Sequence, residues 1–219
     1  VLIRPLPGPF KALSYIPRGP FGGLGDSVAG MDELVDYLKA EVGGTLITAE
    51  PDAESVNWGK GWRKSTNTIL IPRTLILDLT KTEDDLLAEM TKKTRQYIRK
   101  GERDGVAVKK ISNRGELAEV MAIYRETALR ANFALHDDVY YYDLFDKLGE
   151  NNLVLGAYHQ GKLVSFVWSA ISSRTAFELY GGMNDEGQTL RANYTLKWQA
   201  ITKCKEWGLV RYDMNGLLN

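Results

Sequence analysis

The sequence predicts an α+β fold, and three observations support this class. The first part of the chain gives a strand, a helix and a strand, at 12–16, 31–42 and 45–49. Further on, three strand-like segments follow one another with only short turns between them, at 153–158, 163–171 and 175–180. A helix and a last strand at 209–214 then form a crossover. Hairpin strands flanked by helices are typical of a mainly antiparallel sheet with helices packed on it.

In the first part of the chain, each predicted element follows from a local pattern. Apolar residues fill 12–16, and the Pro17-Arg18-Gly19-Pro20 turn ends that strand because proline cannot donate to a sheet. The helix is predicted from apolar residues at spacings of three and four, which are Met31, Leu34, Val35 and Leu38. The next strand runs into Glu50-Pro51, and the polar stretch 52–68, which contains Trp58 and Trp62, is predicted to form a loop.

The rest of the chain predicts a longer series of elements. Short β-branched strands are predicted at 68–71 and 74–79, with Pro72 between them. Thr82 can cap a helix with an acidic first turn, and the helical pattern continues to Arg103 with a break near Thr91. The later elements are a strand at 105–111, helices at 117–128 and 138–148, and strands at 153–158, 163–171 and 175–180. A loop at 181–188, a helix at 190–208 and a strand at 209–214 complete the series. This order fits an α+β fold of the N-acyltransferase type.

The composition of the whole chain excludes several classes of protein. Lysine plus arginine equals aspartate plus glutamate, 28 of each, so any surface for a polyanion must be local. One cysteine, Cys204, excludes a disulfide framework, and two distant histidines, His136 and His159, argue against a metal site. No apolar run approaches the ~20 residues of a membrane span and no signal peptide is recognised, so a cytoplasmic protein is expected. The chain begins at Val1 and stops after a strand, so we also expect a fragment.

One segment departs from this charge balance. Eight basic and two acidic residues give 92–110 a net charge of +6. Arg95, Arg99 and Arg103 are four residues apart, so they share one face of the predicted helix. Such a row suits the phosphates of a tRNA, a nucleotide diphosphate or a lipid pyrophosphate. The alternative is a solvated helix face, which is what most charge runs are.

Four segments carry a likeness to a known family, and they occur in that family's order. They are 15–20, the strand that ends at Glu50-Pro51, 74–79 with 93–100 and 104–106, and 180–183 with 198–201 and 208–216. Together they resemble the FemABX peptidoglycan-bridge aminoacyltransferases. The resemblance implies two GNAT-like (N-acyltransferase-like) domains, at 1–72 and 73–219, with the first domain lacking its opening strands.

The resemblance also implies an activity and its partners. The family moves an amino acid from aminoacyl-tRNA to the stem peptide of a UDP- or lipid-linked peptidoglycan precursor, which forms an interpeptide bridge. It uses no metal and no cofactor for this reaction. A lipid-linked acceptor would bring the protein to the membrane as a peripheral protein.

Glu50 is the candidate catalytic residue. The acceptor amine must be neutral to attack an ester, whereas an amine with a pKa of ~10.4 is mostly protonated at neutral pH. A carboxylate near the acceptor can hold the ammonium group and help to remove its proton. The family places an acidic residue here, usually aspartate. The alternative interpretation of Glu50 is a solvated carboxylate at the end of a strand.

The resemblance implies substrate contacts for Tyr15, Arg18, Tyr141 and Tyr180, and the charge row adds Arg95 and Arg99. For the tyrosines the alternative is a structural role in the core or at its rim. For Arg18 the alternative is an ordinary turn residue. A family arginine that binds phosphate aligns with Asp137, so that contact is not carried over.

The rival enzyme is an acetyl-CoA-dependent acetyltransferase. It needs a glycine-rich nest of backbone N–H groups before a helix to hold the pyrophosphate. The corresponding segment, 187–193, has one glycine and carries bulky Leu190 and Arg191, which argues against acetyl-CoA. Cys204 lies mid-helix and no nucleophile elbow is present, so a covalent acyl-enzyme is not supported. Transfer to another amine or a lipid, and a non-catalytic module that binds precursor, remain open.

Overall fold

The computed structural model describes residues 1–20, 27–42, 46–53, 55–67, 69–71 and 73–216. The chain divides into two compact units, Val1–Pro72 and Arg73–Asn219. The first unit contains a three-stranded sheet and the second a six-stranded sheet.

In its described residues, the first unit is a small sheet with one α-helix. Its elements are β1 (Leu2–Pro5), β2 (Ala12–Pro17), α1 (Val28–Val42) and β3 (Leu46–Glu50). The central strand β2 is antiparallel to β1 and parallel to β3. Alternate residues of β2 (Ala12, Ser14 and Ile16) are buried, as are Met31 and Leu38 of α1. The side chains between them on β2, Leu13 and Tyr15, therefore lie on the opposite face of the sheet.

Strand β1 was not predicted from the sequence. Its residues are exposed throughout, and it ends in Pro5, which an edge strand tolerates because one side of it needs no backbone donor. No alternation of apolar and polar residues marks such a strand in the sequence.

The second unit combines six strands with helices on both faces of the sheet. Its elements are β4 (Ile76–Asp78), α2 (Glu83–Glu89), α3 (Lys92–Arg103), β5 (Ala107–Lys110), α4 (Arg114–Ala131), α5 (Asp138–Leu148), β6 (Asn152–His159), β7 (Lys162–Ser172), β8 (Thr175–Met183), α6 (Asp185–Leu190), α7 (Ala192–Glu206) and β9 (Arg211–Asp213). The strand order is β4-β9-β8-β7-β6-β5. Only β8 and β9 are parallel, and the other neighbours are antiparallel.

The centre of this sheet is covered on both sides. Helix α7 packs against β6 and β7, and α4 packs against β7 and β8. Residues 152–157 and 163–169 are consequently buried without interruption, which explains why their sequences are apolar on both faces. Two clusters of buried residues result, one that includes α3 and α7 and one that includes α4 and α5.

Helix α3 presents its backbone directly to a side chain of α7. A Cβ atom added to the buried Gly101 would lie 2.2 Å from Thr195 Oγ1. The same hydroxyl donates to the carbonyl oxygen of Ile98 at 2.9 Å. Glycine is therefore required at position 101 for this packing.

Two helix starts are marked by side-chain caps, and the predicted cap at Thr82 is confirmed. The Thr82 side chain accepts from the backbone N–H of Asp85, and the Asn113 side chain accepts from that of Glu116. The predicted break near Thr91 is real, because Thr91 caps a new helix, α3. The α+β class is confirmed as well.

Three local predictions were wrong. The described residues 69–71 form no strand, because the N–H groups of Ile69 and Leu70 donate to a carboxylate instead of a sheet. Residues 181–188, predicted as a loop, continue β8 to Met183 and then form α6, which Asn184 caps. The apolar stripe that begins at Leu190 is also divided, because Arg191 has a φ of 57° and separates α6 from α7.

Candidate functional site

Glu50 and Tyr15 meet on the face of the first sheet opposite to the buried residues of β2. Parallel pairing places Pro17 opposite Glu50 and Tyr15 opposite Thr48, so Tyr15 and Glu50 are diagonal neighbours on one face. The Tyr15 hydroxyl donates to Glu50 Oε2. Burial, together with this hydrogen bond to Glu50, raises the pKa of Tyr15 to about 12. Tyr15 therefore remains a neutral hydrogen-bond donor over the physiological pH range.

The Glu50 carboxylate also binds the backbone of the segment that leaves the first unit. The Ile69 N–H donates to Oε1 at 2.8 Å. The Leu70 N–H lies 3.3 Å from Oε1 and 3.2 Å from Oε2. A carboxylate offers about four lone pairs, so three protein donors leave little capacity for a ligand. Glu50 is thus not the free, solvated carboxylate of the alternative interpretation.

A cavity of about 700 Å³ adjoins Glu50. Its walls are β3 and the loop that carries Trp58, Trp62, Arg63 and Lys64. The two indole rings lie 5.0 Å apart. The loop is held close to α1 at Gly59, where a Cβ atom would lie 2.3 Å from Asp32 Oδ1. This volume is typical of a site for a small organic ligand.

Arg18 lies in the turn that follows β2. Its guanidinium forms an ion pair with Asp52, with 3.5 Å between Nη1 and Oδ2. Both side chains are partly exposed. A phosphate at Arg18 would therefore share the guanidinium with Asp52.

In the second unit, an aromatic cluster contains Tyr141 and Tyr180. Tyr141 is only 1% exposed, and its hydroxyl accepts from the backbone N–H of His136 at 3.3 Å. Burial raises the pKa of Tyr141 and that of Tyr180. The neighbouring Tyr140 is 41% exposed, and its hydroxyl lies 3.3 Å from that of Tyr180. The tyrosine of this helix that faces outward is Tyr140, whereas Tyr141 packs inside.

Two of the three arginines of the charge row, Arg95 and Arg99, have different environments. Arg95 Nη1 donates to the carbonyl oxygens at the end of α2, with 3.0 Å to Leu87 O, and also to Met90 O. Arg95 therefore caps a helix. Arg99 is exposed, and within the described part of the chain it forms no ion pair. It is the better placed of the two for an external anion.

The segment that would hold acetyl-CoA has no open backbone cradle. Gly187 is buried inside α6, and a Cβ atom there would lie 2.3 Å from Val164 O. This glycine is thus required for packing against β7. Leu190 packs against the core, and the Arg191 guanidinium lies over the Tyr97 ring at 5.5 Å.

Other reactive groups are engaged or buried. Burial raises the pKa of Cys204 to about 12, so its thiol is inert at neutral pH. The His136 ring packs on Tyr140 at 4.3 Å. Within the described residues, no cluster of three or more His, Cys, Asp or Glu side chains converges as a metal site would require. In the same residues, no helix has the length and apolar character to cross a bilayer.

The comparisons with known proteins agree with this architecture. The model of the FemAB family matches residues 56–164, about half of the chain. The chain belongs to the FemAB family. The crystal structure of FemX matches this FemAB-family chain with a TM-score of 0.82 and 17% identity, over 99% of this chain and 75% of FemX. At such identity the likeness shows the fold, and the predicted GNAT-like α+β fold is confirmed.

A second structure extends the comparison. L-PGS from Bacillus licheniformis matches the chain with a TM-score of 0.50 and 16% identity, over 67% of this chain and 46% of L-PGS. Among curated proteins, none matches the chain by sequence. Family and fold together support assignment of the chain as an acyltransferase.

Sequence reasoning missed several residues of these sites. Trp58 and Trp62 were seen only as part of a loop, although two tryptophans in a polar stretch were a usable signal. Tyr140 could not be distinguished from Tyr141, because both lie in one tyrosine run. Nothing in the sequence indicated that the backbone N–H groups of Ile69 and Leu70 would bind Glu50, since every residue other than proline has such a group.

Proposed function

We propose that this protein transfers an aminoacyl group from aminoacyl-tRNA to an amine on the stem peptide of a peptidoglycan precursor. The observation that carries the proposal is membership in the FemAB family together with the FemX-like fold. The buried, packing-constrained Gly187 segment supports a donor other than acetyl-CoA. We also propose that the two units are two functional domains, with boundaries at 1–72 and 73–219.

The acceptor is proposed to bind in the first unit. The cavity beside Glu50 offers two indole rings for stacking on a sugar or base, and Arg63 and Lys64 for anionic groups. Glu50 would hold the acceptor ammonium with its remaining lone pair. Tyr15 contributes by its hydrogen bond to Glu50. Arg18 forms an ion pair with Asp52 and can still reach a phosphate group.

The proton that the acceptor nitrogen loses after its attack need not pass to Glu50. When the amine attacks the ester carbonyl, the ribose oxygen of the tRNA leaves and can accept that proton. Glu50 in this scheme orients the bound ammonium and takes up its first proton, which must leave before the nitrogen can attack. Its replacement should therefore slow the reaction without abolishing it.

The donor is proposed to bind along the exposed side of α3. Arg99 and Arg103 are exposed and one turn apart, and Lys93 lies at the start of the same helix. Neutralising each phosphate with one such cation adds about one unit to the salt dependence of binding. Arg95 contributes indirectly, because it holds the end of α2 in place. Tyr140 and Tyr180 form a second exposed contact, for precursor or RNA.

A transfer assay tests the proposal. Radiolabelled aminoacyl-tRNA is incubated with protein and either a UDP-linked or a lipid-linked muropeptide, and the product is separated and counted. Transfer by the wild type supports the proposal, and N-acetylated donor and uncharged tRNA serve as controls. Binding of muropeptide with no transfer from any charged tRNA would indicate a non-catalytic module and would reject it.

Two further experiments identify the acceptor molecule and test whether the protein associates with membranes. In the first, vesicles of phosphatidylglycerol replace the muropeptide in the transfer assay. Transfer of the labelled amino acid to this lipid, with none to muropeptide, would assign a lipid acceptor. Flotation with vesicles that contain a lipid-linked precursor tests peripheral association, with precursor-free vesicles as control. Since charged tRNA is a cytoplasmic molecule, the proposed reaction requires a cytoplasmic protein.

The charge row has its own test. Arg99→Ala should weaken tRNA binding in low salt and lower the slope of log K against log [salt] by about one. Lys147→Ala is the matched control, because Lys147 is exposed on α5, which packs in a different buried cluster from α3. An unchanged slope for Arg99→Ala would remove Arg99 from the proposed tRNA surface.

A further inference from the structure

Strand β3 lies at the edge of the first sheet. Within the described residues β3 pairs with β2 alone, and the order β1-β2-β3 leaves its other side without a neighbouring strand. The strand runs from Leu46 to Glu50, which is ~16 Å at ~3.3 Å per residue. Such an edge presents a row of backbone N–H and C=O groups that the sheet itself does not pair, so it can accept a further strand.

The cavity beside Glu50 runs along this edge. All five residues of β3 line it. The register with β2 places Ile47 and Ala49 on the face that carries the buried residues of β2. Thr48 and Glu50 lie on the other face. A cavity lined by residues of both faces follows the backbone edge between them, because the opposite edge of β3 is occupied by β2.

The wall opposite β3 extends over the same length. Trp62 lines this cavity and also a second one of about 440 Å³, which touches Leu46 and Ile47 at the start of β3. Further along the chain, the Ile69 N–H donates to the Glu50 carboxylate at the end of β3. The chain from 62 to 69 therefore follows the strand from its start to its end. Its described residues form no strand of their own, so they leave the edge of β3 unpaired.

We infer that an extended peptide binds in this cavity as a further strand beside β3, and that this peptide is the stem peptide of the acceptor. The inference rests on the proposed function and adds how the acceptor is recognised, which is by main-chain hydrogen bonds to the edge of β3. Added strands of this kind obtain affinity from the main chain and specificity from a few side-chain positions. The volume of about 700 Å³ is within the usual range for ligand sites.

The charges around the cavity agree with a peptide that carries an amine and a carboxylate. Glu50 lies at the carboxyl end of β3, where it can hold the ammonium group. Arg63 and Lys64 are exposed on the opposite wall, and within the described part of the chain they form no ion pair. Both can therefore bind a carboxylate of the peptide. A nucleotide would use these cations, but it has neither an ammonium group for Glu50 nor a main chain for the edge.

The geometry of a strand gives the inference a specific signature. Neighbouring N–H groups of an extended chain point to opposite sides, so only every second amide of the peptide can bond to β3. The same holds for β3 itself, in which alternate N–H groups point towards β2 and the others towards the cavity. Binding through side chains alone would produce no such alternation.

The experiment measures amide hydrogen exchange of the protein by NMR. The probe is acetyl-L-lysyl-D-alanyl-D-alanine, which has a side-chain amine and a free carboxylate. Without peptide, we expect the cavity-facing amides of β3 to exchange rapidly. At about ten times Kd only ~1 in 10 molecules is free, so their exchange should slow ~10-fold. The amides of β1, on the far side of β2, are the internal control and should not change.

Three results would overturn the inference. One is protection of every β3 amide before peptide is added, because another segment or a second copy of the chain would then cover the edge. Another is unchanged exchange of β3 in the presence of saturating peptide. The third is absence of binding by both this peptide and the complete UDP-linked muropeptide.

Two N-methylated peptides give a second readout and leave the protein unchanged. Methylation of one D-alanine nitrogen should raise Kd by ~3–10-fold, because it removes a hydrogen bond to β3. Methylation of the other, which points away from β3, should change Kd by less than about twofold. Equal changes in Kd for the two peptides would contradict binding as a strand.

The results also separate this inference from the proposed function. If transfer to muropeptide is established but β3 is never protected, the added strand is wrong and the function stands. If the peptide protects β3 but no charged tRNA supports transfer, the peptide site remains and the proposed aminoacyl transfer fails.

Discussion

Replacement of Glu50 should cost stability as well as activity, because its carboxylate holds three protein donors. Two of these, the Tyr15 hydroxyl and the Leu70 N–H, are partly buried, and the Ile69 N–H is exposed. Hydrogen bonds to a charged acceptor contribute about 1.5–3 kcal/mol when buried and less when exposed. Glu50→Ala should therefore lower the free energy of unfolding by about 2–4 kcal/mol. Tyr15→Phe, which removes one donor and leaves the carboxylate paired, should cost about 1–2 kcal/mol.

Two measurements separate this effect from catalysis. Urea unfolding followed by tryptophan fluorescence reports on both units, since Trp58 and Trp62 lie in the first unit and the other three tryptophans in the second. Amide hydrogen exchange reports directly on Ile69 and Leu70. Both amides should exchange faster in Glu50→Ala. Glu33→Ala, which removes an exposed carboxylate of α1, is the control and should change neither measurement.

The outcome that refutes this reasoning is equally definite. If Glu50→Ala unfolds within about 0.5 kcal/mol of the wild type and leaves both amides protected, the carboxylate does not stabilise the segment at 69–71. In that case a fall in transfer rate could be assigned to chemistry alone. If stability falls as expected, rates must be compared with Glu50→Gln, which retains one acceptor oxygen.

Further predictions concern the second unit. Gly182→Ala should destabilise the protein by about 1–3 kcal/mol in urea, since its Cβ atom would lie 2.7 Å from a threonine hydroxyl, whereas Gly181→Ala, at 3.5 Å from its neighbour, should be nearly neutral. Arg95→Ala should lower stability by about 1–2 kcal/mol through loss of the helix cap, while Arg99→Ala should not change the melting temperature. Cys204 should resist Ellman's reagent at pH 8 until urea is added, because with a pKa of about 12 only ~1 in 10⁴ thiols is ionised.

The sequence predicted most elements whose signals are local. The side chain of Thr82 identified the start of α2, since a capping residue itself supplies the first hydrogen bond of the helix. The buried strands β6 and β7 were recognised because apolar β-rich segments alternate with short turns. These features depend on residues a few positions apart.

The wrong predictions depended on residues far apart in sequence. The apolar segment at 69–71 has the composition of a strand, but its N–H groups find an acceptor 19 and 20 residues away in Glu50. Gly181 and Gly182 suggest a loop, yet they pair with Val167 and Phe166 in the sheet. Glycine is needed at position 182 because α4 and Phe166 occupy the space of a side chain.

For the candidate site, the sequence likewise identified residues but not their long-range contacts. The likeness to a family identified Glu50, Tyr15, Arg18 and Tyr180, but not what each side chain contacts. Helical periodicity placed Arg95 and Arg99 on one face, and it could not show that Arg95 reaches back to α2. The pairing of Lys197 with Glu178 joins a helix to a strand, and no sequence pattern marks it.

The close approach of Gly101 to the Thr195 side chain limits how α3 and α7 can shift relative to each other. Because the Thr195 hydroxyl occupies the space of a side chain at position 101, a shift that brings a larger residue of α3 opposite Thr195 would produce a collision. We therefore expect the two helices to shift together, so that a displacement of α3 on binding a long polyanion would also displace α7.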